Sequence, residues 1–315
     1  MKYVVTGAAG FIGRHVCAEL LAFGHDVVGI DAFTDYYDPS IKRANAAWLE
    51  QRIGYRGIEL DLATAPLDDV FDGADVVMHL AGQPGVRLSW ADYFHVYVER
   101  NITASQRVLE AVRRTGVPRL VLASSSSVYG NAAEYPTTED ALTRPFSPYG
   151  VTKLAMEQLA SAYAENWALP VVVLRYFTVY GPGQRPDMGM HQFISRAAAG
   201  EPLVLYGDGE QVRDFTYVTD VATATIAAGM ADLPSGSVFN IAGGSSSTVN
   251  NVVRLVSENL GRDIAVRRQP EQAGDVRVTG GAIDRARQLL AWEPAVALEE
   301  GVKRQVAHQM AESVE

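Results

Sequence analysis

Short apolar runs alternate with segments of helical period along the first 180 residues of the chain. Apolar runs of this length, separated by helices, are typical of parallel strands that are covered on both faces. They predict strands at 3–6, 27–30, 76–78, 120–122 and 171–174. The pattern therefore predicts an α/β fold with a doubly wound parallel sheet.

Helical spacing between these runs predicts the covering helices. Ile12, Val16, Leu20 and Phe23 form one apolar stripe, which predicts a helix over 11–23. Two further segments, 91–115 and 148–167, are long enough to be helices that flank the sheet. The first strand, helix and second strand therefore make a β-α-β unit.

After Tyr180 the regular alternation of apolar runs and helical segments ends. A Gly-Pro-Gly turn follows, and shorter predicted strands near 203–206 and 215–218 are mixed with helices. We interpret this region as a smaller mixed α/β lobe that binds a substrate. The predicted division places residues 1–179 in a Rossmann-type domain, with 217–247 returning to it. Residues 180–216 and 248–315 then form the substrate lobe.

Composition narrows the class of protein. The 315 residues are 48% hydrophobic and 20% charged, which is typical of a globular chain with a large core. A formal net charge of −10 argues against nucleic acid or an anionic membrane as a partner. The chain begins in a strand-like run without a basic and apolar leader, so we expect a cytoplasmic protein. Cys17 is the single cysteine and falls on the apolar stripe of the first helix, as a buried structural thiol would.

A glycine-rich turn follows the first strand directly and opens the first helix. Gly7, Gly10 and Gly13, with Phe11 and Ile12 between them, allow backbone N–H groups to approach a pyrophosphate. Asp31 ends the second strand, where a carboxylate can accept hydrogen bonds from the adenosine ribose and repel a 2′-phosphate. The motif therefore predicts a dinucleotide site that prefers NAD to NADP.

Tyr149 and Lys153 are four residues apart and share one face of a predicted helix. A phenol with a solution pKa of about 10 is a weak base at neutral pH. A nearby ammonium and a positive nicotinamide ring would favour its phenolate. Tyr149 is thus a candidate proton acceptor.

The glycine spacing and the Tyr-x-x-x-Lys pair together resemble the extended short-chain dehydrogenase/reductase family. The resemblance implies that Lys153 also binds the nicotinamide ribose. Aligning Val128-Tyr129-Gly130 with the family pattern makes Ser125 the hydroxyl that hydrogen-bonds the reacting sugar oxygen. The six histidines lack metal-ligand spacing, so we expect no metal.

Further matches extend the resemblance to nucleotide-sugar epimerases and dehydratases. They include His79-Leu-Ala-Gly82, Arg175-Tyr-Phe-Thr-Val-Tyr-Gly-Pro182, Arg213-Asp-Phe-Thr-Tyr-Val218 and Gly274-Asp-Val-Arg277. The implied cofactor contacts are Phe33, Asp61, Leu62, Leu80, Ala81, Gly82, Asn101 and Tyr176. For a UDP-sugar substrate, the implied contacts are Arg213 and Arg277 at the diphosphate, Tyr206 against uracil, and Arg87, Arg185, Gln211 and Asp275. His79 itself is read as a packing residue at a strand end.

The serine run favours one reaction within this group. Dehydratases of the family place an acidic pair before Val-Tyr-Gly, where this chain has serines, so elimination of water is disfavoured. Ser126, Ser127 and Thr178 could donate hydrogen bonds to a C5 carboxylate, although hydroxyls in such places also satisfy backbone groups. Together with Asp35-Tyr-Tyr-Asp-Pro39, they resemble UDP-glucuronate 4-epimerases. The expected reaction is C4 epimerisation of UDP-glucuronate to UDP-galacturonate through a 4-keto intermediate.

Two alternatives stay open. One is a 4-epimerase of UDP-glucose or UDP-N-acetylglucosamine, and the other is a non-catalytic dinucleotide sensor, which would not need a proton acceptor such as Tyr149. The resemblance also implies a homodimer that pairs helices around 96–112 and 154–163 into a four-helix bundle.

Overall fold

A seven-stranded parallel sheet forms the centre of the structure, a computed structural model that describes residues 1–244 and 246–312. The strand order is β10-β6-β5-β4-β1-β2-β3, which is the order of a doubly wound dinucleotide-binding sheet extended by one strand. This confirms the predicted fold. The strands of this sheet are β1 Lys2–Thr6, β2 Asp26–Asp31, β3 Tyr55–Glu59, β4 Val76–His79, β5 Leu120–Ser125, β6 Val171–Tyr176 and β10 Ser237–Ile241.

Two smaller sheets lie outside the central one. A three-stranded sheet has the order β11-β9-β7, and a two-stranded sheet pairs β12 with β8. Their strands are β7 Thr178–Tyr180, β8 Leu203–Tyr206, β9 Val212–Tyr217, β11 Ser246–Thr248 and β12 Val266–Gln269.

Eleven α-helices are present in the described part of the chain. They are α1 Phe11–Ala22, α2 Pro39–Glu50, α3 Asp68–Phe71, α4 Phe94–Tyr97, α5 Ala104–Thr115, α6 Pro148–Trp167, α7 Gly189–Ala198, α8 Val218–Met230, α9 Val249–Leu260, α10 Asp284–Leu289 and α11 Leu298–Glu312.

Local signals in the sequence define the ends of the long helix α6. The Ser147 hydroxyl caps the first turn by accepting a 3.1 Å hydrogen bond from the Gly150 N–H, and Pro148 occupies the first helical position. The helix ends at Ala168, which adopts a left-handed conformation with a φ of 49°. The observed bounds match the predicted helix over 148–167.

The predicted helix over 91–115 is helical throughout but not uniform. A 3₁₀ turn at Ala91–Tyr93 and the short helix α4 lead into a π-helical segment at Val98–Thr103, which continues as α5. A π-helical segment widens the turn and often marks a functional position. The apolar pattern alone did not reveal it, because a bulge of one residue hardly alters the periodicity.

Two apolar layers bury the two faces of the central sheet. Tyr3 and Val5 of β1 face one layer with α1 and α8, whereas Val4 faces the other with α5 and α6. A third apolar cluster joins Tyr180, Ile194 and Val302 outside the central sheet. Cys17 is fully buried in the first layer.

The predicted division into a cofactor domain and a substrate lobe stays a prediction. β10 extends the central sheet beside β6, and the smaller sheets and the third apolar cluster follow Tyr176 in the chain. Ser245 and residues 313–315, which the predicted boundaries include, lie outside the described residues. Within the described ranges, no helix combines the length and the apolar composition that crossing a bilayer requires.

Candidate active site

The glycine turn after β1 has the close backbone packing that a pyrophosphate site needs. A Cβ at Gly13 would lie 2.0 Å from the Gly7 carbonyl oxygen, and one at Gly7 would lie 2.9 Å from the Ala81 nitrogen. Gly7 also has a φ of +70°, which L side chains rarely adopt. Gly10 begins α1 without a side-chain cap, so the helix N-terminus offers free N–H groups. This cradle, which any side chain would fill, fits a dinucleotide phosphate.

Asp31 lies at the end of β2 beside this turn. Its two carboxylate oxygens accept hydrogen bonds from the backbone of Ala9 (3.2 Å) and Phe33 (2.9 Å), which fixes the carboxylate towards the glycine turn. A cavity of about 210 Å³ opens next to it and is also lined by Arg43, Tyr55 and Glu59.

Arg43 and Glu59 form one wall of this cavity. The Arg43 guanidinium lies 4.0 Å above the Phe33 ring and makes two 2.8 Å hydrogen bonds to Glu59. Phe33 is a predicted cofactor contact, whereas Glu59 and Tyr55 were not predicted to line this cavity. Their place in the cavity depends on β3, which alternating apolar runs did not reveal.

The loop after β4 is held by buried polar groups. The Thr6 hydroxyl accepts a hydrogen bond from the Ala81 N–H and lies 2.8 Å from His79 Nδ1, while His79 Nε2 lies 3.1 Å from the Ser105 hydroxyl. Burial lowers the pKa of His79 to about 3, so its imidazole is neutral. His79 therefore lies at the strand end as a buried, hydrogen-bonded residue.

Asn101 lies in the π-helical segment and supports the same loop. Its side chain accepts from the Gln83 N–H at 2.7 Å and donates to the Gln83 carbonyl at 3.0 Å. A further hydrogen bond of 3.0 Å reaches the Thr152 hydroxyl on α6. The amide is thus fully engaged with the protein and links the loop to the helix that carries Tyr149, so its predicted contact with the cofactor stays a prediction.

Ser125, Tyr149 and Lys153 converge where β5 ends and α6 begins. The Ser125 hydroxyl lies near enough to the Tyr149 phenol to lower its pKa, and the Lys153 ammonium donates a 2.7 Å hydrogen bond to the Ala123 carbonyl on β5. The Tyr149 ring also meets the Tyr97 ring edge-on, with centroids 6.3 Å apart. This arrangement supplies a phenol, a hydroxyl and a cation in one place.

Burial raises the pKa of Tyr149 above its usual value, while the Ser125 hydrogen bond and the positive charge of Arg185 oppose that rise. Lys153 is the cation predicted to act on Tyr149, and Arg185 supplies a further positive charge that was not predicted for this role. Burial lowers the pKa of Lys153 to about 8, against the opposing effect of Glu157. Lys153 therefore remains mostly protonated at neutral pH.

Hydroxyl groups line the neighbouring edge of the sheet. Ser126 and Ser127 form a 3₁₀ turn that Ser125 caps by accepting from the Ser127 N–H at 3.1 Å. Strand pairing places Ser125 opposite Tyr176, so Thr178 at the start of β7 follows at the same edge. The three hydroxyls and the Tyr149 phenol are partly exposed rather than sealed in the core.

Four of the predicted substrate residues form one connected group through Arg87 and Tyr206. The Arg87 guanidinium lies 4.3 Å above the Tyr206 ring and 3.4 Å from the Asp275 carboxylate. Gln211 donates to the Tyr206 carbonyl, and its own side-chain oxygen is buried with no hydrogen-bond partner among residues 1–244 and 246–312. Contacts of Arg87 and Gln211 with Tyr206 thus bring the residues predicted to surround the uracil ring into one group.

The remaining predicted arginines differ in their partners. Arg277 makes two hydrogen bonds of 2.8 and 2.9 Å to Asp208, and Arg185 makes two of 2.9 Å to Asp187. Within the described ranges Arg213 donates to carbonyl oxygens alone, and burial lowers its pKa. The pairing of these arginines with Asp187 and Asp208 was not predicted from the sequence, because it depends on how the loops fold.

The other predicted cofactor contacts lie at strand ends around the glycine turn. Asp61 and Leu62 follow β3, and Leu80 and Gly82 follow β4. Tyr176 ends β6, where its hydroxyl lies 2.7 Å from the buried Thr225 hydroxyl. No cluster of histidine, cysteine or acidic side chains suited to a metal occurs in residues 1–244 and 246–312.

Comparison with known families gives the class of this protein. Residues 3–242 match the NAD dependent epimerase/dehydratase family. The chain belongs to this family, as the glycine turn and the Tyr-x-x-x-Lys helix predicted.

Individual relatives cover nearly the whole chain. An uncharacterized UDP-glucose epimerase, YtcB of Bacillus subtilis, is 43% identical over 98% of both chains. A UDP-glucuronate 4-epimerase of Thermodesulfobacterium geofontis is 38% identical over 96% of this chain and 94% of its own. The crystal structure of UDP-glucuronic acid 4-epimerase from Bacillus cereus in complex with UDP-glucuronic acid and NAD has a TM-score of 0.96 and 38% identity. It is matched over 99% of this chain and all of its own.

The buried, neutral His79 predicts a pH dependence of stability. Its pKa in the folded protein is about 3, below the usual 6.5, so unfolding takes up a proton below pH 6.5. The contribution of neutral His79 to the free energy of unfolding is complete above pH 6.5 and is lost as the pH falls towards 3. We expect the stability advantage of wild type over His79→Gln to shrink by about 1.4 kcal/mol per pH unit between pH 6 and 4.

Urea unfolding at several pH values measures this difference. His95 is exposed, so His95→Gln is the matched control and should show a constant difference from wild type. Parallel stability curves for wild type and His79→Gln would contradict a neutral, buried imidazole.

Proposed function

We propose that this protein is an NAD-dependent 4-epimerase that converts UDP-glucuronate to UDP-galacturonate. The observation that carries the proposal is the grouping of Ser125, Tyr149 and Lys153 beside a turn that holds hydroxyls in place of an acidic pair. A phenol and a hydroxyl suit proton transfer at a sugar hydroxyl, whereas elimination of water needs an additional acid and base. Relatives described as UDP-glucuronate 4-epimerases support the same reaction.

The chain's own residues would hold the cofactor at the edge of the central sheet. Gly7, Gly10 and Gly13 receive the pyrophosphate, Asp31 binds the adenosine ribose, and Lys153 binds the nicotinamide ribose. Bound NAD supplies the hydride acceptor and donor for the substrate carbon. The remaining proposed contacts are Phe11, Ile12, Phe33, Asp61, Leu62, Leu80, Ala81, Gly82, Asn101 and Tyr176.

Tyr149 is the proposed base for the C4 hydroxyl proton. The Ser125 hydroxyl would position the same oxygen, and the charge of Arg185 favours the phenolate that must form. The Lys153 ammonium on the same helix face would act in the same direction. Loss of a hydride from C4 then leaves a 4-keto sugar. The hydride would return to the opposite face of the ketone once the sugar has turned, and the phenol would return the proton, so C4 would be inverted without net redox change.

A 4-keto glucuronate is a β-keto acid, which loses carbon dioxide when its carboxylate bond aligns with the carbonyl π system. Ser126, Ser127 and Thr178 are placed to hold the carboxylate out of that alignment through neutral hydrogen-bond donors. Holding the carboxylate is therefore part of the proposed chemistry.

Arginines across the cleft suit the nucleotide part of the substrate. Arg213 has no carboxylate partner among the described residues, so it can receive a diphosphate directly. Arg277 is paired with Asp208, so it must break or share that ion pair to bind the diphosphate. Tyr206, covered by Arg87, offers an aromatic surface to the uracil, with Gln211 and Asp275 beside it and Arg185 towards the sugar.

A second candidate function is 4-epimerisation of UDP-glucose. The relative described as a UDP-glucose epimerase, at 43% identity, supports it. UDP-N-acetylglucosamine is a further alternative substrate. A dinucleotide sensor without catalysis is disfavoured, because sensing does not need the Tyr149 and Lys153 pair.

A product assay separates these candidates. The purified protein with NAD is incubated with UDP-glucuronate, UDP-glucose and UDP-N-acetylglucosamine, and products are identified by NMR. We expect UDP-galacturonate to form roughly 10-fold faster or more than either neutral product, because the hydroxyl donors would lack a carboxylate partner. Faster turnover of UDP-glucose would support the second candidate, and no turnover of any sugar would support the sensor.

Replacing Tyr149 by Phe tests the proposed base. Phe keeps the ring and its packing but removes the atom that takes the proton, so kcat should fall by about 10²- to 10⁴-fold. Dissociation constants for UDP and NAD should change little. Tyr93 is exposed outside the site, so Tyr93→Phe is the matched control. Retention of more than about a tenth of the wild-type kcat would show that Tyr149 is not the base.

We also propose a cytoplasmic homodimer. Val151 and Trp167 of α6 are apolar yet about half exposed, which favours a partner over the face formed by α5 and α6. Light scattering at micromolar concentration should give about twice the 34.1 kDa chain mass. A mass of one chain would contradict the pairing.

A further inference from the structure

A buried ion pair lies directly behind the residues of the candidate active site. Arg175 Nη2 and Glu157 Oε2 are 2.7 Å apart, and the two side chains are 7% and 5% exposed. Arg175 Nε adds hydrogen bonds of 3.0 and 3.2 Å to the same carboxylate. The pair is therefore close, multidentate and shielded from water.

Each member of the pair adjoins an element that carries an active-site residue. Glu157 follows Lys153 by one turn of α6 and lies on the same face as Tyr149 and Lys153. It also accepts a short hydrogen bond from the Ser124 hydroxyl, next to Ser125. Strand pairing places Ser124 opposite Arg175. One carboxylate thus contacts β5 and β6 from the helix that carries the proposed base.

Arg175 extends the connection to the outer strand of the sheet. It donates to the Tyr129 hydroxyl at 2.8 Å and to the Glu139 carbonyl at 3.0 Å. Tyr129 in turn donates to Asn240 on β10 at 2.7 Å. The network therefore spans the carboxyl ends of three adjacent strands.

Stability alone does not account for charges in this position. Desolvating two ions is costly, and replacing a buried ion pair with apolar groups of similar volume is often neutral or stabilising. A carboxylate one helical turn from a buried ammonium has an electrostatic effect that an apolar pair lacks. The location of the pair next to Lys153 thus points to a role in the site.

We propose that Glu157 is a positioning residue that fixes Ser125 and Lys153 through Ser124 and α6, and that its carboxylate is the countercharge of the Lys153 ammonium one helical turn away. This inference deepens the proposed function and rests on it for its effect on turnover. Its effect on Lys153 can be measured without a substrate.

The groups that face Lys153 support this assignment. On α6 these are the neutral phenol of Tyr149 and the carboxylate of Glu157, and from β4 His79 is present as a neutral imidazole. Arg175 on β6 is the cation behind Glu157. Burial lowers the pKa of Lys153 to about 8, and Glu157 is the charge that opposes this effect. Without Glu157, the unpaired Arg175 would repel the ammonium.

The test compares wild type with Glu157→Gln, both loaded with NAD. Gln can still bond to Ser124 and Arg175 but carries no charge. We expect the pKa of Lys153, followed by NMR of ¹³C-labelled lysine, to fall by about one unit. In the pH profile of kcat for UDP-glucuronate, the alkaline limb should shift to lower pH by the same amount. KM should change less than about twofold, because Glu157 lies behind the residues proposed to contact the substrate.

Glu157→Gln/Arg175→Met is the charge-matched variant, because it removes both charges together. The double variant should give a Lys153 pKa between those of Glu157→Gln and wild type. If Glu157→Gln does not fold, the double variant is compared with wild type instead. Ser124→Ala keeps the ion pair and should lower kcat without moving the alkaline limb.

Equal Lys153 pKa values in wild type and the folded variants would overturn the inference and leave a structural ion pair. A wild-type protein that turns over no UDP-sugar would instead refute the proposed function, while the lysine titration would still decide the role of Glu157.

Discussion

The parallel central sheet is the constraint on which the rest of the structure depends. Because all seven strands run in the same direction, the residues that follow β1, β2, β4, β5 and β6 meet at one edge. The contact between Gly13 and the Gly7 carbonyl then allows α1 to start against that edge. A cofactor cradle, a phenol and a set of hydroxyls from distant parts of the sequence thereby share one cleft.

Buried polar groups, rather than apolar packing alone, fix the positions within this edge. His79, Thr6 and Asn101 hold the loop after β4, and Glu157 with Arg175 joins β5, β6 and α6. Buried groups of this kind are costly unless every partner is in place, so they favour one geometry. Ser125 to Ser127, Tyr149 and Thr178 remain partly exposed and therefore accessible to a ligand, whereas Lys153 is buried behind them.

Local signals made much of this predictable from the sequence. The fold followed from short apolar runs, and the glycine turn and the Tyr149–Lys153 spacing indicated the family. The π-helical segment and the cavity wall at Glu59 were missed, because neither alters the local pattern. The acidic partners of Arg185 and Arg277 were also missed, because Asp187 and Asp208 acquire that role through loop geometry.

Inversion at C4 by loss and return of a hydride within one site can be followed with UDP-glucuronate deuterated at C4 and NMR of the product. We expect UDP-galacturonate to keep the deuterium at C4, because the hydride returns to the carbon that released it and only the hydroxyl proton exchanges with solvent. Deuterium lost to solvent, or a product inverted at another carbon, would contradict it.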